Sequence, residues 1–431
     1  FVIFRFLWVS ILEERIDWYL DFIDLGYEPK PTDIIATFYV EPAEEISMEE
    51  AAGRVASESS VGTWTTLVKL PERIKDLMAR VYEIKDNIVK IAYPLDLWEL
   101  GSIPQLLSGV AGNIFGMKAV RNLRLLDIEL PEEYVKYFMG PEYGIDGIRS
   151  LFKIYDRPIT ATVPKPKIGY DSDEYAEVAY EILTGGIDLV KDDENLASLK
   201  FNKFEDRVKK VLKVREKVED ETGERKGFLA NITAPVREME KRAKLVADLG
   251  GEYVMIDIIT AGWAALQTMR EVCHDLKLAI HAHRAMHAAF TRNKKHGITM
   301  FVVAKLARLI GVDQIHTGAI YGKLEGPKED VLRINRFLHS EWYHIKRIFP
   351  VASGGLHPGI LPDVLRANGT VDLVIQVGGG VLGHPMGIRA GAKAVRDAIQ
   401  AYLDGISLEE AAKTSKELAA ALRKWHYMRP V

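Results

Sequence analysis

Ile187-Asp188-Leu189-Val190-Lys191-Asp192-Asp193-Glu194 reads as a β-strand that starts apolar and ends in charge. Alternate residues of a strand point to opposite faces, so Ile187, Leu189, Lys191 and Asp193 share one face. Two apolar side chains, then a lysine and an acid, put the charge at the strand's carboxyl end. One β-rich run precedes this one, at 159–165, and six follow, at 227–233, 253–259, 278–284, 312–318, 350–355 and 372–379. Amphipathic stretches at 172–183, 237–249, 263–275, 300–310 and 388–403 lie among and after them. Strand alternating with helix at this spacing predicts parallel strands joined by crossover helices. Eight such units closing on themselves make a (β/α)8 barrel. An open doubly wound sheet is the alternative, and the count of eight favours the barrel. Helix punctuation agrees: Asp171 and Ser172 can cap a start, and Gly185 and Gly250 follow ends.

The chain is 431 residues long, more than one core usually holds, and a smaller domain is expected beside the barrel. Residues 34–40 and 88–93 read as strands, and 48–58 and 103–109 as helices, which makes an α+β unit. The stretch 131–147 carries five Gly or Pro residues and marks the junction, giving domains 1–140 and 141–431. The apolar share of 48% and charged share of 27% are those of an ordinary globular protein. A net charge of −4, with both signs mixed, offers no clustered basic face for nucleic acid. The single cysteine, Cys273, is expected to be buried in a helix. It forms no intramolecular disulfide and suits a reducing cytoplasm. The opening run from Phe1 to Leu12 is apolar apart from Arg5 and Ser10. It is too short for a membrane span and lacks the basic leader and cleavage site of a signal peptide. It reads as a partly ordered extension with no assigned role.

The active site of such a barrel lies at the carboxyl ends of its strands, and polar residues gather there. The first run ends in Pro164-Lys165-Pro166-Lys167 and the second in Lys191-Asp192-Asp193-Glu194. The fifth ends in His281-Ala282-His283-Arg284, with His287 one turn on, and the sixth in His316. The last two end in Ser353-Gly354-Gly355 and Gly378-Gly379-Gly380. Asp193 and Glu194 suit a hard divalent ion such as magnesium, which takes carboxylates and substrate oxygens. A free ammonium beside that ion is repulsive. Lys191 must then be a neutral base, a salt-bridge partner, or a lysine converted to an anion. An ordinary Lys–Asp–Glu ion-pair cluster is the plainer alternative. His281 and His283 share an inward face. Zinc would want a third close ligand, and a base or oxyanion-stabilising role fits equally well. Glycine loops after the last two strands commonly bind phosphate through backbone N–H groups. Lys165 and Lys167 opposite could hold a second phosphate or polarise a carbonyl. Two anion sites across one mouth imply a bisphosphate of a short sugar.

Taken together, Lys191 to Asn195, His281 to His287 and Gly322-Lys323-Leu324-Glu325-Gly326 resemble signatures of the ribulose-bisphosphate carboxylase (RuBisCO) large-subunit family. Glu58 to Thr66 and Ala111 to Gly116 in the first domain match as well, and the resemblance covers about residues 30–425. The Pro164-Lys165-Pro166-Lys167 wording looks like the archaeal, form III type, whose substrate usually arises from nucleoside monophosphate (AMP) breakdown.

The resemblance implies a magnesium-dependent carboxylase and oxygenase of ribulose 1,5-bisphosphate, working through an enediolate to two 3-phosphoglycerates on carboxylation. Lys191 would take up an activating carbon dioxide as a carbamate, and the carbamate, Asp193 and Glu194 would bind magnesium. The carbamate would also be the base that forms the enediolate. Lys165 would protonate the final carbanion, His283 would act on the hydroxyl beside the new bond, and Lys323 would stabilise the new carboxylate. Lys167 would support the metal-bound oxygens of the substrate, and Arg284, His316, Ser353, Gly354, Gly355, Gln376, Gly378 and Gly379 would bind the sugar and its phosphates, with Thr63, Trp64 and Lys323 closing on one phosphate. Glu58, Thr63 and Asn113 would reach a neighbouring subunit's barrel. A homodimer is then the minimal unit, open to higher assemblies of dimers and needing no small subunit, nucleic acid or membrane. Val163 stands where plant-type enzymes carry threonine. Ala319-Ile320-Tyr321 stands where they carry Thr-Val-Val, which puts loop closure and gas selectivity in question. A RuBisCO-like isomerase and a non-catalytic assembly protein are the rivals. Both should have lost polar positions that are present here.

Overall fold

The computed structural model describes residues 18–63, 65–67, 69–321 and 327–428. The opening apolar run, Trp64 and the 322–326 segment with Lys323 lie outside the described residues. Two compact units are present. One comprises the described part of Phe1–Phe138 with His287–Leu306, and the other comprises Met139–Met286 with the described part of Ala307–Val431.

The first unit holds a five-stranded mixed sheet. Its strands are β1 (Ile34–Pro42), β2 (Arg80–Lys85), β3 (Ile88–Tyr93), β4 (Val120–Glu129) and the late, short β10 (Gly297–Ile298), in spatial order β10-β4-β1-β3-β2. Strands β1 to β4 pair antiparallel, and β10 joins β4 in parallel. The sequence pattern finds β1 and β3 but not β2 or β4. β2 carries only one buried residue, so it lacks the apolar run that marks a strand. Helix Met48–Glu58 is capped by Ser47, whose side chain accepts from Glu50 N. Ser59, the residue after it, hydrogen-bonds Tyr93 at the end of β3 over 2.8 Å.

The second unit is a closed barrel of eight parallel strands. These are β5 (Ile159–Thr162), β6 (Leu189–Lys191), β7 (Gly227–Asn231), β8 (Tyr253–Asp257), β9 (Ala279–His283), β11 (Gln314–His316), β12 (Phe349–Ser353) and β13 (Val374–Gln376). Each falls inside one of the eight runs expected from sequence, except that β12 begins one residue early. Inward side chains Ala161, Leu189, Leu229, Met255, Val351 and Val374 form one buried cluster with Ile145, Ile148 and Phe152 of helix Gly144–Phe152. That cluster also contains Ile159, Tyr253, Ala279 and Phe349, which begin their strands. The helix therefore closes the amino-terminal end. Gly227 begins β7 because a Cβ there would sit 2.6 Å from Leu189 Cδ2 and 2.8 Å from the Phe152 ring. Asp313 pins the plug by accepting from Tyr143 N, Gly144 N and Ile280 N at 2.7–2.9 Å.

Outside the strands, helix Ser172–Thr184 packs on Phe204–Thr222 and on Ile388–Leu403, and Val236–Asp248 packs on Trp263–Leu276. Asp171 caps the first of these through a capping box with Glu174. Cys273 is buried in helix Trp263–Leu276. Among the described residues no helix is long and apolar enough to cross a membrane.

Candidate active site

Because every barrel strand runs the same way, the polar strand ends meet at one rim. Lys191 closes β6 and is wholly buried. Its Nζ donates to Asp192 O at 2.6 Å and lies 4.0 Å from Glu194 Oε2. Burial pushes the Lys191 ammonium below the ordinary lysine range, against the pull of Glu194, Asp193, Asp257 and Asp192. Asp193 accepts from Lys165 Nζ at 2.9 Å and from Asn195 N and Nδ2 at 3.1 Å each. Burial works to raise its pKa, but those bonds and the Lys165 charge outweigh it and hold the carboxyl below its usual range. The lysine–carboxylate pairing is therefore between Lys165 and Asp193 across the ends of β5 and β6. Among the described residues Lys191 has no carboxylate within hydrogen-bonding distance.

The strand ends opposite contribute imidazoles. His283 Nε2 stands 3.5 Å from Glu194 Oε2, and its Nδ1 lies 3.3 Å from Asp257 Oδ1 while accepting from Ala285 N at 3.1 Å. In the neutral ring that leaves the proton on Nε2, facing Glu194. His281 and His316 meet Nε2 to Nε2 at 2.8 Å, and His316 Nδ1 meets Ser353 Oγ at 2.7 Å. Arg284 is buried and donates to Thr317 O at 3.2 Å, and burial brings its pKa down to about 10.

The glycine loops follow β12 and β13. Gly354 and Gly355 take φ of +106° and +74°, a region that favours glycine. Gly378 faces Lys165, since a Cβ on it would stand 3.4 Å from Lys165 Cε. Gly379 begins a four-residue helix, Gly379–Leu382. Gln376 ends β13 with a buried Oε1 that has no hydrogen-bond partner among the described residues. Lys167 is exposed beyond β5. His287 belongs with the first unit and pairs with Thr291 Oγ1 at 2.9 Å. In that first unit Glu58 ends its helix half-buried, Thr63 follows four residues after Ser59, and Asn113 is exposed at the start of the turn Asn113–Gly116.

The structure thus brings Lys165, Lys191, Asp193, Glu194, His281, His283, His316 and Ser353 to one mouth. Sequence reasoning passed over two strands. β7 ends in Asn231 and β8 in Asp257, each a polar residue after an apolar run, and the rule applied to the other six would have found both. Asp257 is 4% exposed, and its Oδ1 has no hydrogen-bond partner among the described residues. Tyr253 and Gln314, deeper in the barrel, carry no such signal.

Family models for the ribulose bisphosphate carboxylase large chain match the sequence twice, the N-terminal domain over residues 21–134 and the catalytic domain over residues 144–425. A ribulose bisphosphate carboxylase of Pyrococcus furiosus is 63% identical over 420 residues, covering 96% of this chain and 100% of its own. That of Archaeoglobus fulgidus is 52% identical over 436 residues, covering 96% and 99%. Among solved structures, the octameric enzyme of Pyrococcus horikoshii, in complex with sulfate, superposes with a TM-score of 0.92 at 61% identity, covering 95% of this chain and 97% of its own. A dimeric archaeal relative from Hyperthermus butylicus gives 0.91 at 53% identity, covering 95% and 100%.

Proposed function

The chain belongs to the ribulose bisphosphate carboxylase large-chain family and carries its carboxy-lyase function, and we propose that the barrel mouth described above is where that reaction runs. One observation carries the reading. Lys191 is buried beside carboxylates, with its ammonium disfavoured and a single backbone carbonyl to receive it.

A lysine held below its usual pKa has more of the neutral amine, the form that attacks carbon dioxide. The amine forms a new N–C bond, releases one proton, and becomes a carbamate with two acceptor oxygens. Among the described residues no three His, Cys, Asp or Glu side chains are arranged to hold a metal ion. Asp193 and Glu194 are thus a donor pair that a carbamylated Lys191 would complete, and an oxygen-only set of this kind fits magnesium. Magnesium held there would supply positive charge to polarise the sugar's ketone.

The overall reaction joins ribulose 1,5-bisphosphate, carbon dioxide and water into two 3-phosphoglycerates. Lys165, whose side chain is 39% exposed and reaches across from β5, is assigned the proton delivered to the last carbanion. His283 presents its Nε2 proton at the mouth and is assigned to the hydroxyl beside the new bond. Lys323 is assigned to the new carboxylate. Arg284, Ser353, Gly354, Gly355, Gln376, Gly378, Gly379 and Lys167 are assigned to the sugar and its two phosphates, with His316 serving them through its bond to Ser353. The unpartnered Gln376 Oε1 and the positive-φ glycines support that part. Glu58, Thr63, Trp64 and Asn113 are assigned to a neighbouring subunit's mouth, which makes a dimer the catalytic unit. The octameric and dimeric solved relatives support assembly from dimers. Nucleoside monophosphate breakdown is the source we assign to that bisphosphate.

The test is fixation of labelled carbon dioxide into acid-stable product with ribulose 1,5-bisphosphate and magnesium. The protein should fix label and Lys191→Ala should not. A protein that leaves the label unfixed, or a fully active Lys191→Ala, contradicts the reading.

A further inference from the structure

Five buried side chains form an unbroken file of hydrogen bonds through the barrel interior. The Tyr253 hydroxyl meets Gln314 Oε1 at 2.8 Å, and Gln314 Nε2 meets His281 Nδ1 at 2.7 Å. His281 Nε2 meets His316 Nε2 at 2.8 Å, and His316 Nδ1 meets Ser353 Oγ at 2.7 Å. The file starts where the Tyr253 ring stacks on Phe152 of the plug helix, and it ends at the carboxyl end of β12.

Two neutral imidazoles facing Nε2 to Nε2 share one proton, so the file has one of two senses. Both rings are neutral: burial above all holds each well below the usual histidine range. In the first sense the phenol donates to Gln314 and the amide N–H donates to His281. His281 then donates to His316, and His316 to Ser353. In the second sense every donor becomes an acceptor, and the phenol must accept from the amide. Its own proton then needs another acceptor, and among the described residues Tyr253 Oη has no partner but Gln314. A buried hydroxyl proton left unpaired is penalised, which selects the first sense.

We propose that Tyr253 and Gln314 are positioning residues that fix the tautomers of His281 and His316 and thereby leave the Ser353 hydroxyl proton free to donate into the mouth. Ser353 Oγ accepts from His316, so its own proton is available to an anionic oxygen of the substrate. The opposite sense spends that proton on His316 and turns lone pairs toward the anion. Only this last step rests on reading the mouth as a sugar-bisphosphate site. The tautomers do not depend on it.

Neutron diffraction from deuterium-exchanged crystals of the assembled protein reads the protons directly. Deuterium is expected on His281 Nε2 and His316 Nδ1. Deuterium on His281 Nδ1, or on His316 Nε2, overturns the proposal. The kinetic arm uses Tyr253→Phe, which keeps the ring and its stacking and removes only the hydroxyl. Its KM for ribulose 1,5-bisphosphate should rise roughly three- to tenfold with kcat within about twofold, the scale of one weakened hydrogen bond. Its neutron map should show His281 in both tautomers. A merely structural Tyr253 would lower the melting temperature and leave KM and tautomers unchanged, and that result also overturns the proposal. Absence of carboxylase activity in the unaltered protein would overturn the bisphosphate reading instead, and the neutron map would still decide the tautomers.

Discussion

Asp192 and Asp193 are neighbours in sequence and opposites in environment. Asp192 points away from the mouth and is wholly buried among Tyr175 Oη at 2.8 Å, Arg207 Nε and Nη2 at 3.0–3.2 Å and Asn231 N at 2.9 Å. Its partner Arg207 is also fully buried and has its remaining donors placed on Asn202 and Ala197. Asp193 points into the mouth, where Lys165 reaches it from partly exposed solvent-side space. Among the described residues Lys191 donates to a backbone carbonyl alone, and Asp257 Oδ1 has no hydrogen-bond partner. A carboxylate whose every acceptor is filled by protein holds the fold together. A mouth where cations and acids are mismatched is built for something that is added.

The sharpest way to break this contrast is to remove one partner on each side. Arg207→Ala strands a buried carboxylate and should cost about 3–5 kcal/mol in denaturant unfolding. Lys165→Ala takes one partner from Asp193, which keeps its two Asn195 donors, and should cost clearly less stability than Arg207→Ala while abolishing carboxylation. Equal losses of stability in the two variants would erase the distinction.

Within the mouth the comparison sharpens into early and late chemistry. Lys323→Ala should still exchange the substrate's carbon-bound proton with solvent but lose carboxylation by on the order of 100- to 1000-fold, since the role proposed for its charge is to meet a carboxylate that develops later. Lys191→Ala should lose both activities. The opposite pattern, followed by solvent tritium release, would contradict the division of labour.

The smallest effect is in the pH dependence of stability. Asp188 sits at the base of the same strand and accepts from both Arg157 guanidinium nitrogens at 2.7–2.8 Å and from Thr160 N and Oγ1 at 2.8 Å each. Burial opposes ionisation, yet Arg157 outweighs it and holds the Asp188 carboxyl below its usual range. Its contribution is therefore fully present above the unfolded carboxylate value of about 3.9 and lost as pH falls through the lower folded value. Unfolding curves between about pH 2 and pH 5 should show a shallower acid loss in Asp188→Asn. An unchanged slope would mean that Asp188 is not held this way.

The barrel was readable from sequence because most of its buried parallel strands are short runs rich in Val, Ile, Leu or Ala that end in polar or glycine residues; 312–318, with Val312 and Ile315 alone, is the weakest of the eight and stands out by His316. Helices Phe204–Thr222 and Lys328–His339 went unread because their charged faces dilute the apolar stripe. β2 and β4 were missed because few or alternating buried residues do not stand out from loop. In the site, charged strand ends announce themselves, whereas the pairing of Lys165 with Asp193 depends on two strands being adjacent, which one strand's sequence cannot state. Tyr253 and Gln314 read as ordinary core and strand residues until the register places them under the histidines.

Modification of Lys191 by carbon dioxide, proposed above, leaves a signal that can be read directly. Protein loaded with 13C-labelled carbon dioxide and magnesium should show a single carbamate carbon resonance by 13C NMR, and Lys191→Arg treated alike should lack it. A spectrum without that resonance, or one that keeps it in Lys191→Arg, would contradict the account.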